Sequence, residues 1–408
     1  MTTREDCLER DRTDALAPMR ESFTLNEGQV YLDGNSLGPV SNSVSERVND
    51  VIDSQWGRGL VSGWGAWMDW PTRVGDRIGR LIGALPGEVV ASDTLTIGIA
   101  KLVGAALDQR PDRHVILTDE LNFHTDLYII EAMARRAGRE VVVQAIDRNT
   151  LGEHLSDDVA LVELTHVDFR SGEMLDLAGI TAQAHDAGAL MLWDFAHSTG
   201  AVPLDVEAAD VDFAAGCGYK YLNGGPGAPA YMYVRSSWQG VVRNPLPGWL
   251  GHARPFDFET TFEPAGGIHS FKTSSPSILA LAALDGALDV FDHTTISEVR
   301  VKSLALTDLF IELVDERLPG VFEVVTPREH ARRGSQVALR HERAYGLIQA
   351  LIAREVIGDF RAPDIARFGF TPLYLRYVDV YDAVEHLAQV VEKEEFNDPA
   401  YDVRKDVT

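Results

Sequence analysis

Cysteine is nearly absent from this chain. Cys7 and Cys217 are the only two in 408 residues, too few for a disulfide framework and in keeping with a reducing compartment. Long apolar runs are missing as well: none approaches the ~20 residues that span a bilayer, and Met1-Thr-Thr-Arg-Glu-Asp6 is charged from the outset. A soluble, cytoplasmic protein with no membrane partner is expected. Basic residues are scarce, 37 Lys and Arg against 62 Asp and Glu for a net charge of −25, which argues against nucleic acid and anionic membrane surfaces. The expected partner is a small molecule, and an anionic one must be met by cations placed locally. A phosphate loop, a full dinucleotide glycine fingerprint, an HExxH motif and paired Cys/His zinc spacing are all lacking, as are internal repeats and low-complexity tracts.

What is present is a hydrophobic content of 45%, enough for a large core. Short apolar runs at 88–91, 114–117, 140–144, 159–162, 189–192, 211–215 and 229–234 alternate with helix-length segments, a pattern that predicts crossover units and a mostly parallel sheet. Beyond Ser275-Pro276 the pattern changes to an Ala/Leu-rich helix over 278–291, a charged helix, and strand-like pieces near 321–325 and 336–340. The expected organisation is α/β: an N-terminal arm over 1–38, a large domain over 39–275 and a smaller C-terminal α+β domain over 276–408.

Two strand ends carry the chemistry. The run 188–193 stops at Asp194, where a carboxylate meets the open end of a sheet. The run 211–215 leads into Gly216-Cys-Gly-Tyr-Lys220, whose glycines allow a tight turn toward the same edge. A lysine amine that condenses with an aldehyde, beside a carboxylate that keeps a pyridine nitrogen protonated, is the pairing pyridoxal phosphate requires. Phosphate needs donors at a helix start, and Ala91-Ser-Asp-Thr-Leu-Thr96 before an apolar helix has that form, with the Leu95 amide and the Thr96 hydroxyl as candidate contacts. N-capping by Ser92 or Thr94 is the plainer use of the same residues. Phe123 is placed to stack on a ring and Asp126 to hydrogen-bond near it. In Thr165-His-Val-Asp168 a polar side chain can reach the ring oxygen, and His197 stands in the turn after Asp194. For a substrate carboxylate a guanidinium is the best partner; Arg361 and Arg367 lie in the turn-rich segment 358–369.

Tyr31-Leu-Asp-Gly-Asn-Ser-Leu-Gly38, Asn122-Phe-His-Thr-Asp126, Leu164-Thr-His-Val167, Trp193-Asp-Phe-Ala-His197, Tyr219-Lys-Tyr-Leu-Asn-Gly-Gly-Pro-Gly227, Gly248-Trp-Leu-Gly-His252 and Gly358-Asp-Phe-Arg-Ala-Pro-Asp364 resemble, in order and along nearly the whole chain, the kynureninases. The resemblance implies a fold-type-I pyridoxal phosphate enzyme, a homodimer with shared active sites, that hydrolyses L-kynurenine or its 3-hydroxy form to anthranilate (or 3-hydroxyanthranilate) and L-alanine. It makes Lys220 the lysine that bonds the cofactor, Asp194 the partner of the ring nitrogen, and Tyr219 and His197 its neighbours. Leu95, Thr96, Phe123, Asp126, Trp249 and Ser275 become further cofactor contacts, with Trp249 and Ser275 reaching across the subunit interface. Arg367 becomes the carboxylate clamp, and Trp64 and Ser36 border the substrate. Tyr219 or a water is the implied proton donor at the β-carbon. Three positions depart from the family's usual residues: Ser275 stands for Thr or Asn, His124 for Pro, and Asp168 for Asn, the last adding an acid beside the site. Cysteine desulfurases and class V aminotransferases share the fold, but neither Cys7 nor Cys217 stands where a desulfurase wants its mobile cysteine. A binding protein without catalysis would not need Arg367.

Overall fold

The computed structural model describes residues 2–401 together with 403 and 404. In chain order its strands are β1 (Val30–Tyr31), β2 (Val89–Ala91), β3 (Val115–Asp119), β4 (Val142–Ile146), β5 (Val159–Thr165), β6 (Leu190–Asp194), β7 (Phe213–Cys217), β8 (Ala230–Val234), β9 (Glu323–Val324), β10 (Gln336–Arg340), β11 (Val356–Ile357), β12 (Asp359–Arg361) and β13 (Ile365–Gly369). Seven of them make one sheet in the order β2-β8-β7-β6-β5-β3-β4. From β7 to β4 all neighbours are parallel, and β8 and β2 close the other edge antiparallel.

Both faces of this sheet are covered, which is why its strands read as continuous apolar runs. Along β6, Met191 and Trp193 join one core while Leu190 and Leu192 join the other; along β8, Tyr231 and Tyr233 separate from Met232 and Val234 in the same way. The second face is roofed by the helices Leu95–Gln109 and His124–Arg136, which contribute Ile99, Leu102, Val103 and Ile130 to its core.

The C-terminal third builds a second, antiparallel sheet, β12-β13-β10-β9, against the helices Ile296–Arg317 and Ala344–Ile352, with Tyr377–Glu392 packed on those two helices. The segment 358–369 is therefore not a turn-rich loop. It is a hairpin in which Asp359 faces Arg367 across β12 and β13. The N-terminal segment is tied to the same region: β1 pairs in parallel with β11, the helix Arg4–Thr13 packs on Tyr377–Glu392, and Asp11 accepts from the amides of Tyr377 at 2.7 Å and Val378 at 3.1 Å. These ties bring the loop after Tyr31, with Asp33 and Ser36, onto β12 and β13.

Candidate active site

Because β6 lies between β5 and β7, the carboxyl ends of three neighbouring strands converge. Thr165 is paired with Asp194 in the β5–β6 register, and the chain leaving β7 reaches Tyr219 and Lys220 three residues later. Gly38 closes on that turn. Its amide donates to Tyr219 O at 2.8 Å, and a Cβ there would stand 2.4 Å from Lys220 O, so only glycine fits.

Lys220 Nζ lies 2.9 Å from His197 Nε2. With Nζ as the donor of this contact, Nε2 accepts and the ring proton sits on Nδ1. That buried Nδ1 makes no hydrogen bond within 3.5 Å, though the Gln336 side chain lies close enough to act on the ring. Burial, with Lys220, Arg367 and Arg361 nearby, holds the imidazole well below its ordinary pKa and hence neutral. Asp194 is 3% exposed; its Oδ1 accepts from Ala196 N at 2.8 Å. Burial raises its carboxyl above the usual range while Lys220 pulls the other way. Asp126, on the helix covering this face, is buried with Oδ2 unpartnered, and burial, then Asp194 and Glu163, push its carboxyl well up. Burial also raises the Tyr219 phenol, which stays protonated at neutral pH.

Two unpartnered buried groups beside a lysine and a basic carboxylate are what a polar ring cofactor would complete. Pyridoxal phosphate fits this set. Its phosphate would find the free first-turn amides at Leu95 and Thr96 of the helix Leu95–Gln109. Phe123 stands at the start of the helix His124–Arg136, edge-on to Phe169 with ring centroids 5.2 Å apart. The His124 ring lies against Phe123, with centroids 4.4 Å apart and planes tilted by 46°.

The arginines form an adjoining cluster. Arg367, 1% exposed, donates from Nε to Asp359 Oδ1 at 2.8 Å, from Nη2 to Asp359 Oδ2 and to Ser36 Oγ at 2.8 Å, and from Nη1 to Phe169 O. One Nη1 proton is left over. Arg361 donates from Nη2 to Asp359 Oδ2 at 2.6 Å and Ser36 Oγ at 3.1 Å, and its buried Nε has no partner. Burial would raise Asp359, but Arg367 and Arg361 hold it at about 2. Burial and then Asp359 push Asp33 up to about 8.

Trp64 and Trp249 form an aromatic group of their own, 6.5 Å apart, extended by Trp67 and Phe256. Ser275 lies exposed in a loop. Asp168 is neutralised rather than left as a stray charge: Oδ2 meets Arg148 Nη2 at 2.8 Å, Oδ1 accepts from Ser171 N at 2.6 Å, and Arg148 also binds Asp119. Burial raises this carboxyl, yet Arg148 and the turn amides outweigh it and keep it below the usual range. Sequence reasoning missed Asp359, Glu163 and Asn122. Asp359 sits two residues before Arg361 and had a signal in that spacing; Glu163, an acid inside an apolar strand, had another.

Comparison with known proteins gives the family. The kynureninase of Pseudomonas fluorescens is 46% identical over 416 residues, covering 100% of both chains, and that of Burkholderia pseudomallei (strain 1106a) matches equally, at 46% with 100% of both covered. The chain belongs to the kynureninase family. The family model of the kynureninase C-terminal domain matches residues 299–387. Among solved structures, the cysteine desulfurase CsdA from Escherichia coli superposes with a TM-score of 0.78 at 19% identity, over 93% of this chain and 98% of that one. The cystine C–S lyase C-DES gives 0.77 at 18%, over 89% and 98%; a variant of it was solved with glycine covalently linked to its PLP cofactor. At such identities they establish the shared fold, so this kynureninase-family chain has the fold-type-I architecture in which a large, mostly parallel sheet is joined to a small antiparallel one.

Proposed function

We propose that this member of the kynureninase family is a pyridoxal phosphate-dependent hydrolase that cleaves the Cβ–Cγ bond of L-kynurenine or 3-hydroxy-L-kynurenine, with water, to anthranilate or 3-hydroxyanthranilate and L-alanine. The observation that carries the reading is Lys220 and Asp194 at adjoining strand ends, next to the unpartnered Asp126 Oδ2 and His197 Nδ1. When bound, the cofactor supplies an aldehyde for the substrate amine and a ring that takes up the electron pair left at carbon. Asp194 holds a proton on the ring nitrogen. The Lys220 amine would move the α-proton. Tyr219, kept protonated by burial, delivers a proton to the β-carbon as the aromatic acid departs. Arg367, with Arg361 beside it, binds the α-carboxylate, and Ser36 steadies both.

The large domain is read as 39–275, the small as 276–408, with 1–38 as the arm. The working unit is a cytoplasmic homodimer: Trp249 and Ser275 complete the neighbour's cofactor site, and Trp64, in contact with Trp249, borders the aryl group. Among the described residues no helix is long and apolar enough to cross a membrane. Borohydride reduction of the loaded protein followed by peptide mapping tests the assignment. Cofactor fixed to the peptide holding Lys220 is expected, and labelling of another lysine would overturn it.

A further inference from the structure

Behind Asp194 lies a chain of hydrogen bonds that no step above uses, running from Glu163 Oε2 while Glu163 Oε1 stays without a partner. Glu163, fully buried in β5, is paired across the sheet with Thr118, whose hydroxyl donates to Glu163 Oε2 at 2.8 Å. Asn122 Nδ2 donates to the same oxygen at 2.8 Å and to Thr118 Oγ1 at 3.2 Å. The other end of that amide is fixed independently. The Phe123 backbone N–H, 2.7 Å away, has only a proton to offer, so the atom facing it must be Oδ1. Thr165 Oγ1 stands 2.6 Å from this same Oδ1 and 3.3 Å from Asp194 Oδ2. A hydroxyl has one proton, and the shorter contact takes it.

We propose that Glu163 and Asn122 are positioning residues that draw the Thr165 hydroxyl proton away from Asp194. Asp194 is thereby left with the Ala196 amide as its backbone donor and stays basic enough to keep the ring nitrogen protonated. Thr165 Oγ1 in turn offers a lone pair, not a proton, to the site, which suits a hydrogen-bond-donating substituent on the ring. This rests on the pyridoxal phosphate reading. The charged and titratable groups facing Asp194 are Lys220, Asp126 and Glu163, with the Tyr219 and Tyr231 phenols and the Cys217 thiol, all three pushed up by burial, around them. Lys220 favours the ionised form of Asp194, whereas a charge on either acid would raise its basicity further by repulsion. Burial pushes Glu163 up to about 8, so at neutral pH it carries its own proton and acts through hydrogen bonds.

The experiment is a double-mutant cycle on apoprotein titrated with pyridoxal phosphate, reading the dissociation constant and the nitrogen chemical shift of isotope-labelled cofactor. Glu163→Leu frees Asn122 and Asn122→Ala removes the acceptor. Each is expected to weaken cofactor binding about five- to tenfold, the loss that goes with one ordinary hydrogen bond, and to move the ring nitrogen toward its unprotonated shift. Glu163→Gln, which keeps an acceptor oxygen, is expected to restore both readings. In a Thr165→Val background neither Glu163→Leu nor Asn122→Ala should have any further effect on the nitrogen shift. The relay is overturned if both variants keep the wild-type nitrogen shift, or if their effects persist undiminished with Val at 165. Should one variant fail to fold, the other decides alone. Failure of the unmodified protein to bind pyridoxal phosphate is a different result, and it would sink the proposed function instead.

Discussion

Arg367, Arg361, Asp359 and Asp33 are best understood by counting charges. Two guanidinium groups face Asp359, which they hold ionised at about 2, while Asp33, at about 8, carries a proton at neutral pH. One positive charge is left uncompensated, and it is what an α-carboxylate would meet. Removing the Arg367 fork costs more than its charge, because Arg367 also ties Asp359 to Phe169 O. Arg367→Lys is accordingly expected to lower kcat/KM for kynurenine by about 2 kcal/mol or more, since an ammonium cannot reproduce the paired contacts. Steady-state kinetics checks this, and wild-type behaviour would place the clamp at Arg361. The two arginines could be picked out of the sequence because guanidinium chemistry suits a carboxylate. Their partner Asp359 is harder to read: its spacing two residues before Arg361 signals a shared strand face only if the segment is a strand, and the hairpin that sets Asp359 opposite Arg367 was masked by Gly358 and Pro363, which read as turn residues.

At the level of elements, the site is made by three parallel strand ends and a turn held in place from outside. The strand ends were legible: a parallel sheet buried on both faces needs unbroken apolar runs, and the runs that end at Asp194 and before Lys220 stood out for that reason. The part played by the N-terminal loop was not, because nothing local to Gly38 announces contact with residues 219–223. Gly38→Ala tests that contact. A Cβ at 2.4 Å from Lys220 O and 2.7 Å from Asn223 Cα must push backbone, at a cost of about 1–3 kcal/mol, and the displaced element is the turn carrying Lys220. Cofactor retention through dialysis should fall sharply, while Gly266→Ala, which meets nothing within 4 Å, should behave as wild type. Equal retention in both variants would mean the loop does not support the turn.

Over the whole molecule, an excess of 25 negative charges surrounds a site that gathers Lys220, Arg361 and Arg367. The Trp64–Trp249 group has no role within a single chain in this account, and Val61 and Phe258, close to it in sequence, are highly exposed apolar side chains. A dimer with shared sites gives it a place. Mixing an inactive Lys220→Ala variant with an inactive Trp249→Ala/Ser275→Ala variant should restore part of the activity through hybrid dimers. Subunit exchange without recovery would confine each site to one chain. The dimer rests on the resemblance alone, since no pattern within one sequence states which surface meets a second copy. The central claim is the reaction itself. The protein loaded with pyridoxal phosphate should be incubated with L-kynurenine and, separately, with its 3-hydroxy form, and the products identified by mass. Anthranilate or 3-hydroxyanthranilate together with an equal amount of alanine is the predicted result; intact kynurenines, with sulfide released from cysteine or an amino group passed to a keto acid, would contradict it.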